Sequence, residues 1–186
     1  MNEKKFLVDY FKECQKFLDN DIADTIIEAK RVIMATKENG GQLFFAGNGA
    51  SASIANHASL DFTKQAKVRS VNFNESAFIT AFSNDYGYEN WIEKALGFYA
   101  AAGDTLILVS CSGTSPNVVN AAKYANLNGI NVITFTGFQE DNPLKTAGDV
   151  NFWLDCRAYN IIEGIHQLWL LSICDLIIGK TEYSVS

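Results

Sequence analysis

Twice in this chain an apolar run ends in a turn of glycine, serine and asparagine and then passes into a helical pattern. The clearer instance is Thr105-Leu-Ile-Leu-Val109, followed by Ser110-Cys-Ser-Gly-Thr-Ser115 and then by Pro116-Asn-Val-Val-Asn-Ala-Ala-Lys-Tyr-Ala125. A short, continuous, β-rich run of this kind reads as a strand covered on both faces. Pro116 suits the first turn of a helix, where its missing N–H costs little. The turn therefore places Ser110, Ser112, Thr114 and Ser115 beside the free N–H groups and positive dipole end of a helix. The natural guest is a phosphate monoester. There is no Gly-Lys-Ser/Thr, so this is not a nucleoside-triphosphate loop. The second instance is Gln42-Leu-Phe-Phe-Ala46, then Gly47-Asn-Gly-Ala-Ser51, then a helical segment over 51–65.

The rest of the chain alternates in the same way. Residues 4–18 and 20–37 carry apolar side chains at helical spacing (Phe6, Leu7, Tyr10, Phe11, Cys14; then Ile22, Ile26, Ile33), and Asn39 or Gly40-Gly41 ends the second helix. The pattern then predicts strands near 68–73, 130–135 and 150–154. Helices are predicted near 75–83, 88–100 and 160–178, with the motif Ser83-Asn-Asp-Tyr-Gly87 between the first two of these. Five β-runs separated by helices predict an α/β fold, a doubly wound five-stranded parallel sheet with two extra N-terminal helices. The apolar faces of that N-terminal pair, residues 1–40, predict a partner subunit. Ligands of such sheets bind beyond the carboxyl ends of the strands, where both Gly/Ser turns fall. Gly47-Asn-Gly resembles part of a dinucleotide fingerprint, but Val71-Asn-Phe-Asn stands where a ribose-binding acid belongs, which argues against a nicotinamide cofactor.

Composition excludes several functions. A net charge of −6 speaks against broad binding to nucleic acid or to an anionic membrane. No stretch reads as a membrane span, and Met1-Asn-Glu-Lys-Lys-Phe lacks the apolar core of a signal peptide, so the expected location is cytoplasmic. Cys14, Cys111, Cys156 and Cys174 are scattered, without Cys-x-x-Cys, and read as reduced thiols. Cys111 differs in sitting within the phosphate-type turn, where a nucleophile is conceivable. Trp91, Trp153 and Trp169 read as packing residues, and Tyr86, Tyr88 and Tyr159 fall near the proposed site turns. Lys64, Lys67 and Arg69 read as a solvated face.

The combination Gly47-Asn-Gly-x-Ser51, Ser83-Asn-Asp85-x-Gly87, Ser110-x-Ser-Gly-x-Ser115 and Glu163-x-x-His166 resembles the sugar isomerase (SIS) domain, and within it the sedoheptulose 7-phosphate (phosphoheptose) isomerases of bacterial surface-sugar synthesis. The likeness runs over nearly the whole chain, implying a single SIS domain over 1–186 with a flavodoxin-like sheet. It implies that Ser110, Ser112 and Ser115 hold the substrate phosphate, helped by backbone N–H groups around Gly113 and Thr114. Asn48, Gly49 and Ser51 would contact sugar or phosphate, Asn84 and Asp85 would hold sugar hydroxyls, and Asn160 stands where the family has an acid near the sugar. It also implies a homotetramer with sites built from more than one subunit, lipopolysaccharide or capsule synthesis as the destination, and no nucleotide cofactor.

The catalytic positions depart from that pattern. Where the family has a His and a Glu four residues apart, this chain has His57 and Asp61. Where the last helix of the family carries a Gln and, eight residues on, a His, this chain has Glu163 and Leu171. Leu171 neither transfers protons nor binds metal. Glu163 and His166, one turn apart, offer a substitute. Isomerisation through an enediol needs a base to move a proton between adjacent carbons and an acid or metal to polarise the carbonyl. Asp61 or Glu163 is the candidate base, and His166 or His57 the polarising group. His57, Asp61, Glu163 and His166 also suit zinc in number and type. Two further readings stand beside the isomerase: a non-catalytic SIS module that binds sugar phosphate or protein, and an enzyme or sensor for a different sugar phosphate.

Overall fold

Alternate residues of the apolar runs face opposite ways, and different helices bury the two sets. The computed structural model describes residues 1–182. The strands are β1 (Leu43–Gly47), β2 (Ser70–Asn72), β3 (Thr105–Ser110), β4 (Asn131–Thr136) and β5 (Val150–Trp153), paired parallel throughout in the order β2-β1-β3-β4-β5. Phe45, Ile107, Ile133 and Phe152 point to one face. There α2 (Ala23–Glu38), α3 (Ala50–Lys64) and α7 (Tyr159–Ile178) cover them. Phe44, Leu106, Leu108 and Val132 point to the other, under α5 (Trp91–Tyr99) and α6 (Pro116–Leu127). Phe135 and Phe152 stack at 4.3 Å across the β4–β5 pair. Fully burying a ring of that size is worth about 1.5–3 kcal/mol, so this face is held by packing.

The chain runs from β1 outward to β2 and then returns to the other side of β1 for β3. That reversal opens a crevice between β1 and β3 at the carboxyl edge, the place where parallel sheets of this kind bind ligands. The register ends at Gly47 opposite Val109, so the two Gly/Ser turns leave the sheet side by side. Gly47 is required there: a Cβ would lie 2.8 Å from the backbone of Ser51 and 2.9 Å from the Val109 carbonyl.

The N-terminal pair is present as α1 (Glu3–Gln15) and α2, joined by a single 3₁₀ turn, Asn20–Ile22. Within the described residues α1 buries none of its own side chains, and Phe6, Leu7, Val8 and Phe11 are exposed. Its other side leans on the core through Tyr10 and Cys14, and the Trp169 indole donates to the Phe17 carbonyl at 3.0 Å.

Three boundaries differ from expectation. The β2 strand is only three residues long. A longer α4 (Ser76–Tyr86) takes Ser83-Asn-Asp85 into its last turn, with the Glu75 carboxylate capping its start through the amides of Ala77 and Phe78. The α5 helix begins at Trp91, not 88. Against the expectation that no segment could span a membrane, α7 is long and apolar enough by length and composition. Its composition has a plainer cause: Ile161, Ile162, Ile165, Trp169, Leu170 and Ile173 form a wall of the core beneath the sheet.

Candidate active site

Ser115 is the N-cap of α6, with extended backbone angles and no capping bond from its own side chain among the described residues. Gly49 occupies the same place before α3, at φ +56°, and has no side chain to offer. Two helices therefore bring first-turn N–H groups to one crevice without side-chain caps, an arrangement suited to an anion. Between them lies a cavity of about 150 Å³. Asn48 and Ser51 line it from the first turn, Ser110, Cys111, Ser112 and Ser115 from the second, and Tyr159 and Glu163 from α7. No lysine or arginine is among these residues.

Asn48 is held from two sides. Its amide forms a reciprocal pair with Asn117, donating at 2.9 Å and accepting at 2.8 Å, and its oxygen accepts again from the Tyr88 hydroxyl at 2.9 Å. Asn117 is almost completely buried, on the first turn of α6. Cys111 forms the floor, its sulfur 3.7 Å from Glu163 Oε1 and 3.9 Å from Ser51 Oγ. Burial, with the Glu163 charge beside it, pushes this thiol up to about 11. It is therefore a neutral S–H donor to Glu163 at ordinary pH, and not a thiolate nucleophile.

The backbone of the serine turn is more committed than its sequence suggests. The Gly113 N–H donates to the Ser110 carbonyl at 3.2 Å, and the Thr114 N–H to Ser112 Oγ at 3.3 Å. Gly113 and Thr114 shape the turn without lining the cavity. Asn84 and Asp85 also lie outside its lining, exposed and bonded to each other at 2.9 Å. Gly49 and Asn160 are exposed as well, with Tyr159 in the cavity instead.

His57 and Asp61 pair across one turn of α3, Nε2 to Oδ2, at 3.2 Å. Asp61 also accepts from Gln65 at 2.8 Å, and the Gln167 amide of α7 meets His57 Nδ1 at 3.2 Å. A carboxylate only accepts, so the ring proton sits on Nε2 and Nδ1 accepts from the Gln167 amide. Gln167 follows Glu163 by four residues, about 6 Å along α7, which sets this network one helical turn from the cavity.

His166 is elsewhere, and its expected catalytic and metal-binding role is corrected. It is fully buried against the sheet, its Nε2 donating to the Thr136 carbonyl at 3.1 Å and its ring edge-on to Phe135. Burial drives its pKa down to about 4, against a smaller upward pull from Thr136. It is a neutral core histidine. The zinc set therefore does not assemble: no group of three or more His, Cys, Asp and Glu side chains suited to a metal exists among the described residues. His57 has both ring nitrogens engaged.

A family model described as the SIS domain matches residues 8–137. A phosphoheptose isomerase of Aliarcobacter butzleri is 30% identical over 162 residues, covering 84% of this chain and 85% of its own length. One of Bordetella avium is 30% identical over 173 residues, covering 87% and 88%. Among solved structures, a phosphoheptose isomerase of Neisseria gonorrhoeae superposes with a TM-score of 0.88 at 24% identity, over 96% of this chain and all of that one, which establishes the shared fold.

Proposed function

The chain belongs to the SIS domain family, and from that premise we propose which reaction its residues carry out and how. It is a sugar-phosphate isomerase that interconverts a ketose phosphate and an aldose phosphate, sedoheptulose 7-phosphate and heptose 7-phosphate. One observation carries the assignment of roles: the serine turn, the uncapped α6 N-terminus and the Glu163 carboxylate meet in one cavity at the β1–β3 crevice.

The phosphate is received by the hydroxyls of Ser51, Ser110, Ser112 and Ser115 and by the first N–H groups of α6, whose dipole favours the anion. The sugar then extends from the cavity past Glu163 toward His57. Glu163 is the base: it takes a proton from C1 of the ketose as the enediol forms and returns it to C2. The oxygen proton travels in the same direction, from O1 to O2. We assign its passage to His57, which Asp61 orients and whose Nδ1 exchanges the Gln167 amide for the sugar oxygens. No step is routed through a metal, because the candidate ligands do not converge.

The cavity holds about half of the roughly 300 Å³ at the lower end of small-molecule pockets, and it carries no cation of its own. Together with the exposed apolar side of α1, this supports the reading that further copies of the chain complete the site, as a homotetramer. Supply of heptose for lipopolysaccharide or capsule, in the cytoplasm, is the role that follows from this substrate. Leu171 favours a second reading, a module that binds sugar phosphate without turning it over.

Turnover of sedoheptulose 7-phosphate by the purified protein decides between them. The expected result is product formation that falls by about 10²–10⁴ in Glu163→Gln, the range for losing a general base. Tight binding without turnover would establish the module instead.

A further inference from the structure

We propose that Asn117 is a positioning residue for the phosphate site, acting through Asn48; this rests on the sugar-phosphate reading of the cavity. An asparagine amide has two N–H donors and an oxygen with two lone pairs. At Asn48 the oxygen is saturated, by Asn117 Nδ2 at 2.8 Å and Tyr88 Oη at 2.9 Å. One N–H is used, donating to Asn117 Oδ1 at 2.9 Å. What remains uncommitted is one N–H, on a side chain that lines the cavity. Asn48 thus faces its guest as a donor only, the form an anion or a sugar oxygen requires.

Asn48 alone would not hold that orientation. Turning its amide by half a revolution exchanges oxygen for nitrogen at almost no steric cost, and would present the oxygen to an anionic phosphate. A reciprocal amide pair survives if both amides turn together, so Asn117 holds the Asn48 side chain in place while the Tyr88 hydroxyl, a better donor than acceptor, selects the oxygen for its own side. Asn117 is 1% exposed, on the first turn of α6, and Asn48 leaves the end of β1, so the pair also fixes the spacing of the two turns across the crevice. Tyr88, from the segment between α4 and α5, ties in a third loop.

The test is steady-state turnover of sedoheptulose 7-phosphate by the full chain carrying Asn117→Ala, Asn117→Asp, Tyr88→Phe and Asn48→Ala, alone and combined. Losing the lock raises KM about tenfold in Asn117→Ala, the equivalent of one well-made hydrogen bond, with kcat within about threefold. Asn117→Asp is the sharper variant. It has the same size, but its carboxylate only accepts, so one of its oxygens is left against the Asn48 oxygen and pushes that side chain from its place, which raises KM further than alanine does. In the Asn48→Ala background the Asn117 substitutions have no further effect. A purely structural Asn117 gives effects that multiply with Asn48→Ala, and that result overturns the proposal. Should the Asn117 variants fail to fold, the half-exposed Tyr88→Phe decides, by a KM rise of about threefold that disappears in Asn48→Ala or persists there. A wild-type chain without turnover overturns the isomerase reading. The same series then reads the lock as calorimetric affinity for sedoheptulose 7-phosphate, with the same order expected, and no binding at all overturns both.

Discussion

His166 offers a pH dependence whose size follows from its surroundings. The folded chain holds it near 4, against 6.5 for a free imidazole. Between these values the unfolded chain binds a proton that the folded chain refuses, so stability is complete above pH 6.5 and is lost as pH falls toward 4. A displacement of this size corresponds to roughly 3 kcal/mol at 1.36 kcal/mol per pH unit, most of it gone by pH 4.5. Because a domain is commonly stable by about 5–15 kcal/mol, the loss is large enough to read directly. The assay is urea unfolding of wild type and His166→Gln from pH 7.5 to 4.5. Glutamine still has an N–H for the Thr136 carbonyl, but nothing to titrate. The variant starts less stable, and its stability falls less steeply by roughly 3 kcal/mol over the interval. Parallel slopes would refute the buried, neutral histidine. The same variant tests function: a core residue leaves kcat within a few-fold, whereas a general acid or base would cost about 10²–10⁴.

Further expectations follow from the same geometry. Gln167→Leu leaves His57 Nδ1 without its donor and lowers kcat about fivefold, the worth of one hydrogen bond, with KM and melting temperature unchanged; steady-state kinetics beside a thermal melt checks this. The Cys111 and Cys174 thiols, pushed up to about 11 and about 12 chiefly by burial, react with iodoacetamide more slowly than Cys14, as peptide mass mapping over time will record. Gly47→Ala drives a methyl into the backbone of Ser51 and Val109 and destabilises the fold by about 1–3 kcal/mol in chemical denaturation.

The sheet was legible because its strands are uninterrupted apolar runs closed by glycine and serine, a pattern with few alternatives when helices stand between them. The position of the phosphate turn follows from the same pattern. The α7 helix was harder. His166 shares a turn with Glu163, but it also falls on the stripe of Ile162, Ile165, Trp169 and Leu170. That stripe, read first, would have placed it in the core. Gln167 lies midway between Glu163 and Leu171 at four-residue steps, and this spacing was the available sign of a polar group on the same side of α7 as Glu163. Asn117 left a fainter trace. A buried amide is indistinguishable in sequence from a solvated one, and its partner Asn48 lies 69 residues away.

Within one chain the cavity proposed for the phosphate is lined by no lysine or arginine, and this weakens its preference between charge states. An ammonium rewards the dianion over the monoanion, whereas a serine hydroxyl donates to a bare oxygen and accepts from a protonated one with equal ease. The hydroxyls of Ser51, Ser110, Ser112 and Ser115 therefore suit either form of the ester, while the α6 dipole and the Asn48 N–H favour the more charged form and the Glu163 carboxylate the less charged one. A phosphate monoester changes its own charge near pH 6. With these pulls opposed, capture under the proposed reading changes less across that point than it would beside a lysine.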